Sequence, residues 1–190
     1  MKAKFSFFCI IVATILFISC SKDKDSTSVN SDPNSYIPLT LGNMWIYKTP
    51  NMSLTDGIKQ IITGTITKNG KTYFLLVNTK EDSVFLRKDD KGNIVKLVNG
   101  TETIIVPANP VVDHSWISGD SIDSLIVIKN DAVVNAYNDL LEILTYQREN
   151  QNLVSKDFYK RGVGIIRNIT YSTSATGDST ITTLNSYELK

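Results

Sequence analysis

The chain holds one histidine, His114, and two cysteines, Cys9 and Cys20, so its inventory for proton transfer and nucleophilic attack is short. Asp113, His114 and Ser115 are consecutive. In extended chain their side chains alternate between faces and cannot form a relay among themselves. Carboxylates are the remaining acid–base candidates, and the pairs Asp89 with Asp90 and Asp120 with Asp123 fall in segments that read as turns. RKDDKGN sets its acids side by side, whereas a calcium loop alternates its oxygen ligands around a glycine. No zinc-ligand spacing is present. Gly162-Val163-Gly164 has Arg167 where a dinucleotide fingerprint needs its third glycine, so the two glycines are assigned to a bulge or sharp bend. The sequence therefore predicts no catalytic residue, no metal site and no cofactor. What it does offer is aromatic surface. Trp45 and Tyr47 stand two apart and share one face of a strand; packing in a core is the simpler account of them, and the sharper one makes them, together with Trp116, candidate lining for a ligand cavity.

Cys20 is the residue with the clearest chemistry. It ends an apolar run from Phe5 to Ile18 that follows Lys2 and Lys4, and it precedes SKDKDSTSVNSDPNS, which has almost no apolar side chain. The run is shorter than the ~20 residues needed to span a bilayer and has the form of a signal peptide. Phe17 occupies a position where ordinary secretory cleavage prefers a small residue. A disulfide for Cys20 would need Cys9, which lies inside the leader. Leu16-Phe17-Ile18-Ser19-Cys20 resembles the lipobox of bacterial lipoproteins. That resemblance implies a diacylglyceryl group on the Cys20 sulfur, cleavage before Cys20 and acylation of the new amino terminus, with palmitate among the chains. Two or more chains anchor a protein stably. The expected organisation is a leader over residues 1–19, a lipidated cysteine and flexible tether over 20–35, and one folded domain over 36–190. The expected location is the outer membrane, on its periplasmic face or the cell surface.

The chain carries 20 Lys plus Arg and 19 Asp plus Glu, and losing Lys2 and Lys4 with the leader keeps the signs almost balanced. Such neutrality argues against nucleic acid as a partner, because that binding rests on clustered cations displacing counterions. It also provides no steering field for a strongly charged ligand.

From Tyr36 onward, turn signals recur at short intervals between runs rich in β-branched and aromatic residues, which predicts an antiparallel β domain. Asn69-Gly70, between IKQIITGTITK and KTYFLLVN, predicts a two-residue hairpin. DDKG and Asn99-Gly100 continue the meander, and SATGD joins the last two strands. One segment is ambiguous. Val133, Ala136, Tyr137, Leu140, Leu141 and Leu144 repeat at helical spacing, yet LEILTYQRE also suits a strand ending in a turn at NQN, and the strand reading is taken for 140–148.

Two short boxes carry a further likeness. YIPLTLGNMWIYK, through Tyr36, Pro38, Leu39, Gly42, Trp45 and Tyr47, and FYKRGVGIIR, through Tyr159, Gly162, Val163 and Gly164, resemble the opening and late boxes of a broad group of uncharacterised exported bacterial lipoproteins. The resemblance implies a mainly β fold: a single curved antiparallel sheet, half-barrel or lipocalin-like, with at most one short helix. It carries no reaction. The functional expectation is a membrane-anchored, non-enzymatic domain that binds an apolar or amphipathic molecule, a glycan or an envelope protein. The alternative is a carboxylate-dependent hydrolase of an envelope polymer, which needs two carboxylates facing one groove.

Overall fold

A computed structural model describes residues 32–52, 57–80, 82–172 and 178–190. Cys20, the leader and most of the expected tether lie outside the described residues, as does all of SATGD except Asp178. Twelve strands are formed: β1 (Met44–Lys48), β2 (Ile58–Lys68), β3 (Lys71–Asn78), β4 (Ser83–Lys88), β5 (Ile94–Val98), β6 (Thr101–Val106), β7 (Ser115–Ile117), β8 (Asp123–Val134), β9 (Tyr137–Gln147), β10 (Leu153–Lys160), β11 (Gly164–Tyr171) and β12 (Ser179–Glu188). There is no helix among the described residues. Every neighbouring pair is antiparallel, in one curled, unclosed sheet of order β6-β5-β4-β3-β2-β1-β12-β11-β10-β9-β8-β7. The mainly β, single-sheet expectation thus holds.

Local chemistry explains the hairpins. Asn69 and Gly70 both take positive φ, 52° and 71°, the conformation of a tight two-residue turn, and Lys68 pairs with Lys71 across it. Asn99 and Gly100 repeat this at φ 49° and 83°. The ambiguous segment is a hairpin of β8 and β9 rather than a helix, with Asn135 at φ 54° in its turn. Its apolar residues find partners across strands: Ala132 opposes Leu140, and Val127 opposes Ile143. The tip folds back along the sheet, where Lys160 Nζ donates to the Asn138 carbonyl and Arg167 Nη2 to Asn135 Oδ1. Tertiary pairing therefore outweighs the 3.6-residue spacing.

Two features tie the curled sheet together. Around one end lie residues 32–43, in which Tyr36 and Ile37 are buried. Asn43, fully buried, ties this segment to the rest: its side chain donates to the Pro38 carbonyl at 2.8 Å and accepts from the Lys190 backbone N–H at 2.8 Å. Residues 32–35, which the sequence assigns to the tether, are held as well. Gly162 N–H donates to the Ser35 carbonyl, Arg161 donates to the Asn34 carbonyl and lies over the Tyr36 ring, and Asp32 pairs with Lys88 at 2.6 Å.

The second feature is the seam between the free edges. β6 and β7 are consecutive in sequence yet stand at opposite ends of the strand order, and no ladder joins them. Two side-chain bonds bridge the gap: Trp116 Nε1–H to the Ile104 carbonyl at 2.7 Å, and Gly119 N–H to Thr103 Oγ1 at 2.8 Å. Such contacts blunt two edges that would otherwise be open to pairing with another chain. On the opposite face of β6, Glu102 takes Arg87, Lys71 and the Tyr73 hydroxyl together. The Arg87 guanidinium, with Lys71 and Tyr73 assisting against partial burial, holds the Glu102 carboxyl down to about 2.

Candidate functional site

The curled sheet leaves its concave side incompletely filled. One lobe of about 260 Å³ has an apolar wall of Trp45, Leu76, Val84, Leu86, Ile105 and Ile165, and also meets Tyr47, Gln60, Lys96, Asp157 and Tyr159. An adjoining lobe of about 300 Å³ is polar, with Asn78, Lys80, Asp82, Asn168 and Thr182 around the shared residues Tyr47, Gln60 and Asp157. A third, about 270 Å³, lies beside the seam and is lined by Lys96, Thr103, Ser118, Asp120, Asp123, Asp157 and Tyr159 among others. Asp157 borders all three.

Strand alternation brings these residues together. On β10, period two sets Ser155, Asp157 and Tyr159 on one face. On β1 it does the same for Trp45 and Tyr47, which are 2% and 5% exposed. Asp157 lies directly opposite Asn168 of β11, so the two side chains meet on the concave face. Asn168 Nδ2 donates to Asp157 Oδ1 at 2.7 Å, and Ser155 Oγ donates to Asp157 Oδ2 at 3.1 Å. Gly164 serves a close approach between the opening and late boxes. A Cβ on it would lie 3.0 Å from Trp45 Nε1, its φ of 119° is one that side chains resist, and the Trp45 indole N–H donates to the neighbouring Val163 carbonyl at 2.5 Å. The two boxes recognised in the sequence are therefore in contact.

Burial pushes the Asp157 carboxyl above its ordinary range, although Asn168, Ser155 and Lys96 each pull the other way. Burial likewise raises the phenols of Tyr47 and Tyr159. For Asp157 the consequence for stability has a definite sign. A carboxyl raised in the folded state favours folding most below its unfolded value, and that contribution is lost as pH rises through its folded value. Ionised Asp157 thus costs stability at neutral pH. Asp157→Asn keeps an acceptor for Asn168 and removes the charge, so it should raise the melting temperature at pH 7 by ~2–4 °C, or about 1 kcal/mol for a chain of this size. The gain should shrink as the pH falls through the raised folded value of Asp157 and be gone below the ordinary value of 3.8, and scanning calorimetry at several pH values reads it. A lower melting temperature at pH 7 would mean that Lys96 and Asn168 more than compensate the burial.

The sequence candidates separate. Trp45 and Tyr47 stand together on the cavity wall. Trp116 does not line these lobes. It lies opposite Leu125, packs against the adjoining apolar cluster, bonds across the seam, and has the exposed His114 stacked on it at 5.9 Å between ring centroids. Asp89 takes the N–H groups of Lys91 and Asn93, and Asp120 takes the Ser118 hydroxyl and the Ile122 N–H, so both serve their turns. Among the described residues no cluster of three or more metal-ligating side chains forms. Sequence reasoning passed over Gln60, Lys96, Asp157 and Asn168. For Asp157 a signal existed: it sits two residues before Tyr159 in a strand, and so shares the face of a residue already singled out.

No family model matches the chain, and no curated protein matches it. Two solved structures resemble it. One is a protein assigned as a lipoprotein from Parabacteroides distasonis ATCC 8503, with 13% identity, a TM-score of 0.43, and coverage of 81% of this chain and 98% of that one. The other is a protein assigned as exported, with a YmcC-like fold, from Bacteroides fragilis NCTC 9343, with 11% identity, a TM-score of 0.43, and coverage of 80% and 98%. At that similarity neither protein's description transfers to this chain.

Proposed function

We propose that the protein is a lipoprotein anchored through Cys20 in the outer membrane, on its periplasmic face or the cell surface, and that its β domain binds an apolar or amphipathic molecule. The observation that carries the binding half is the pairing of an apolar lobe, walled by Trp45, Leu76 and Leu86, with a polar lobe around Gln60, Asn78 and Asn168. Apolar contact in such a lobe contributes about 25 cal/mol for each Å² removed from water. The anchor rests on the lipobox-like residues 16–20, and the group resemblance of the two boxes agrees with it. A docked glycan or an envelope protein on the rim are lesser forms of the same reading.

Native protein extracted from membranes should carry an amphiphile, detectable by mass spectrometry, that a folded Val84→Trp variant with its apolar lobe filled has lost. An empty native protein, or equal occupancy in the variant, overturns the binding reading. Cys20→Ser should shift the protein from the membrane to the soluble fraction and abolish palmitate labelling. Continued membrane partition in high salt would count against the anchor. The alternative, a carboxylate-dependent hydrolase of an envelope polymer, draws on Asp157, whose raised carboxyl borders the same lobe as Asp120 and Asp123. Turnover of cell-wall glycans that vanishes in Asp157→Asn would favour it.

A further inference from the structure

Lys96 of β5 and Asp157 of β10 face the same lobe from strands far apart in the sheet order. Asp157 feels the positive charge of Lys96, as does Asp120, yet the Lys96 ammonium forms no ion pair within 4.0 Å and no hydrogen bond among the described residues. Asp157 receives bonds from Asn168 and Ser155, both neutral, so its charge has no directly paired partner either. Partly desolvated charges are ordinarily paired, because leaving one without a counter-charge forfeits hydration without recompense. Two opposite charges held apart across an apolar-walled lobe are laid out for a ligand that bears both signs.

Resting on the cavity-binding reading above, we propose that the interior site takes a zwitterionic amphiphile. Its ammonium lies against the Asp157 carboxylate, its acid group against the Lys96 ammonium, and its alkyl part among Trp45, Leu76 and Leu86. The lobe's two charges cancel, which fits the absence of a net field over the whole chain. A singly charged amphiphile would satisfy one residue and leave the other desolvated and unpaired. Sites that lose a buried partner in this way discriminate strongly.

The test uses protein extracted from membranes, freed of any co-extracted amphiphile as verified by mass spectrometry and held in amphipol, titrated calorimetrically against a protein-free amphipol blank. The probes are N-dodecyl-β-alanine, dodecylamine, dodecanoate and dodecyl maltoside. The zwitterion should bind at least about tenfold more tightly than either singly charged probe, the scale of one charge-assisted hydrogen bond. Asp157→Asn should erase its advantage over dodecanoate, and Lys96→Met its advantage over dodecylamine. Circular dichroism confirms that each variant is folded, and Lys96→Arg, which keeps the charge, should retain the preference. Equal binding of all four probes, tighter binding of a singly charged probe, or a preference unmoved by both substitutions overturns the zwitterion while leaving the cavity reading intact. Failure of every probe to bind removes the cavity reading along with it.

Discussion

Trp45→Ala should lower the unfolding free energy by about 3 to 5 kcal/mol, the range for deleting a large buried aromatic side chain. Trp45 is 2% exposed, packs in an apolar cluster with Tyr47, Ile62, Phe158, Ile166 and Leu184, and touches the Gly164 backbone. Its backbone pairs with Gln60 on one side and Tyr187 on the other, at the junction where the first strand meets the last. Truncation leaves a void bordering the apolar lobe and orphans the Val163 carbonyl. Urea denaturation reads the loss, with an unchanged slope marking a change in stability alone. Trp45→Phe, which keeps most of the ring but loses the indole N–H, should cost only about 1 to 2 kcal/mol. A loss below about 1 kcal/mol for the alanine variant would mean that the sheet collapses onto the void, and that Trp45 does not hold the two boxes together.

The second large effect is expected at the seam. A methyl group on Gly119 would lie 2.4 Å from the Glu102 carbonyl oxygen and 2.9 Å from its carbon, both backbone atoms that no side-chain rotation can move aside. Gly119→Ala must therefore push β6 away from residues 118–119. Overpacking of this kind costs about 1–3 kcal/mol. Loss of the bonds from Gly119 to Thr103 and from Trp116 to Ile104 adds about 1 kcal/mol. The total, about 2 to 4 kcal/mol, should be accompanied by faster amide exchange in β6 and a red shift of Trp116 emission. Gly64→Ala is the natural contrast. A Cβ there meets nothing within 4 Å, so that variant should fall within about 0.5 kcal/mol of the parent. If Gly119→Ala behaves like Gly64→Ala, the two edges are not joined at this point.

The first of these effects was half visible beforehand. Trp45 and Tyr47 stand out by type and spacing, and strand alternation places them on one face without any knowledge of partners. The seam was not visible, because nothing in SWISGD announces that a glycine will abut a strand ending thirteen residues earlier. Trp116, grouped by type with Trp45, belongs to this seam instead. The aromatic character that suits a cavity wall equally suits a ring that packs on one side and donates an N–H on the other.

What the sequence determined by itself is local. Asn-Gly pairs tolerate positive φ and so set hairpins at 69–70 and 99–100, and β-branched runs between them set strands. An apolar run ending at Cys20 is likewise a property of adjacent residues. The tertiary structure decided everything that depends on residues distant in the chain. It resolved 132–147 as a strand hairpin, since pairing of β9 with β8 and β10 supplied what the helical spacing lacked. It joined β1 to β12, and so brought Asn43 to the Lys190 backbone. It also drew Lys96 and Asp157 to one lobe, 61 positions apart in the sequence as numbered. Strand alternation fixes which face each of those residues takes, but only the curl of the sheet decides that the two faces look at one another.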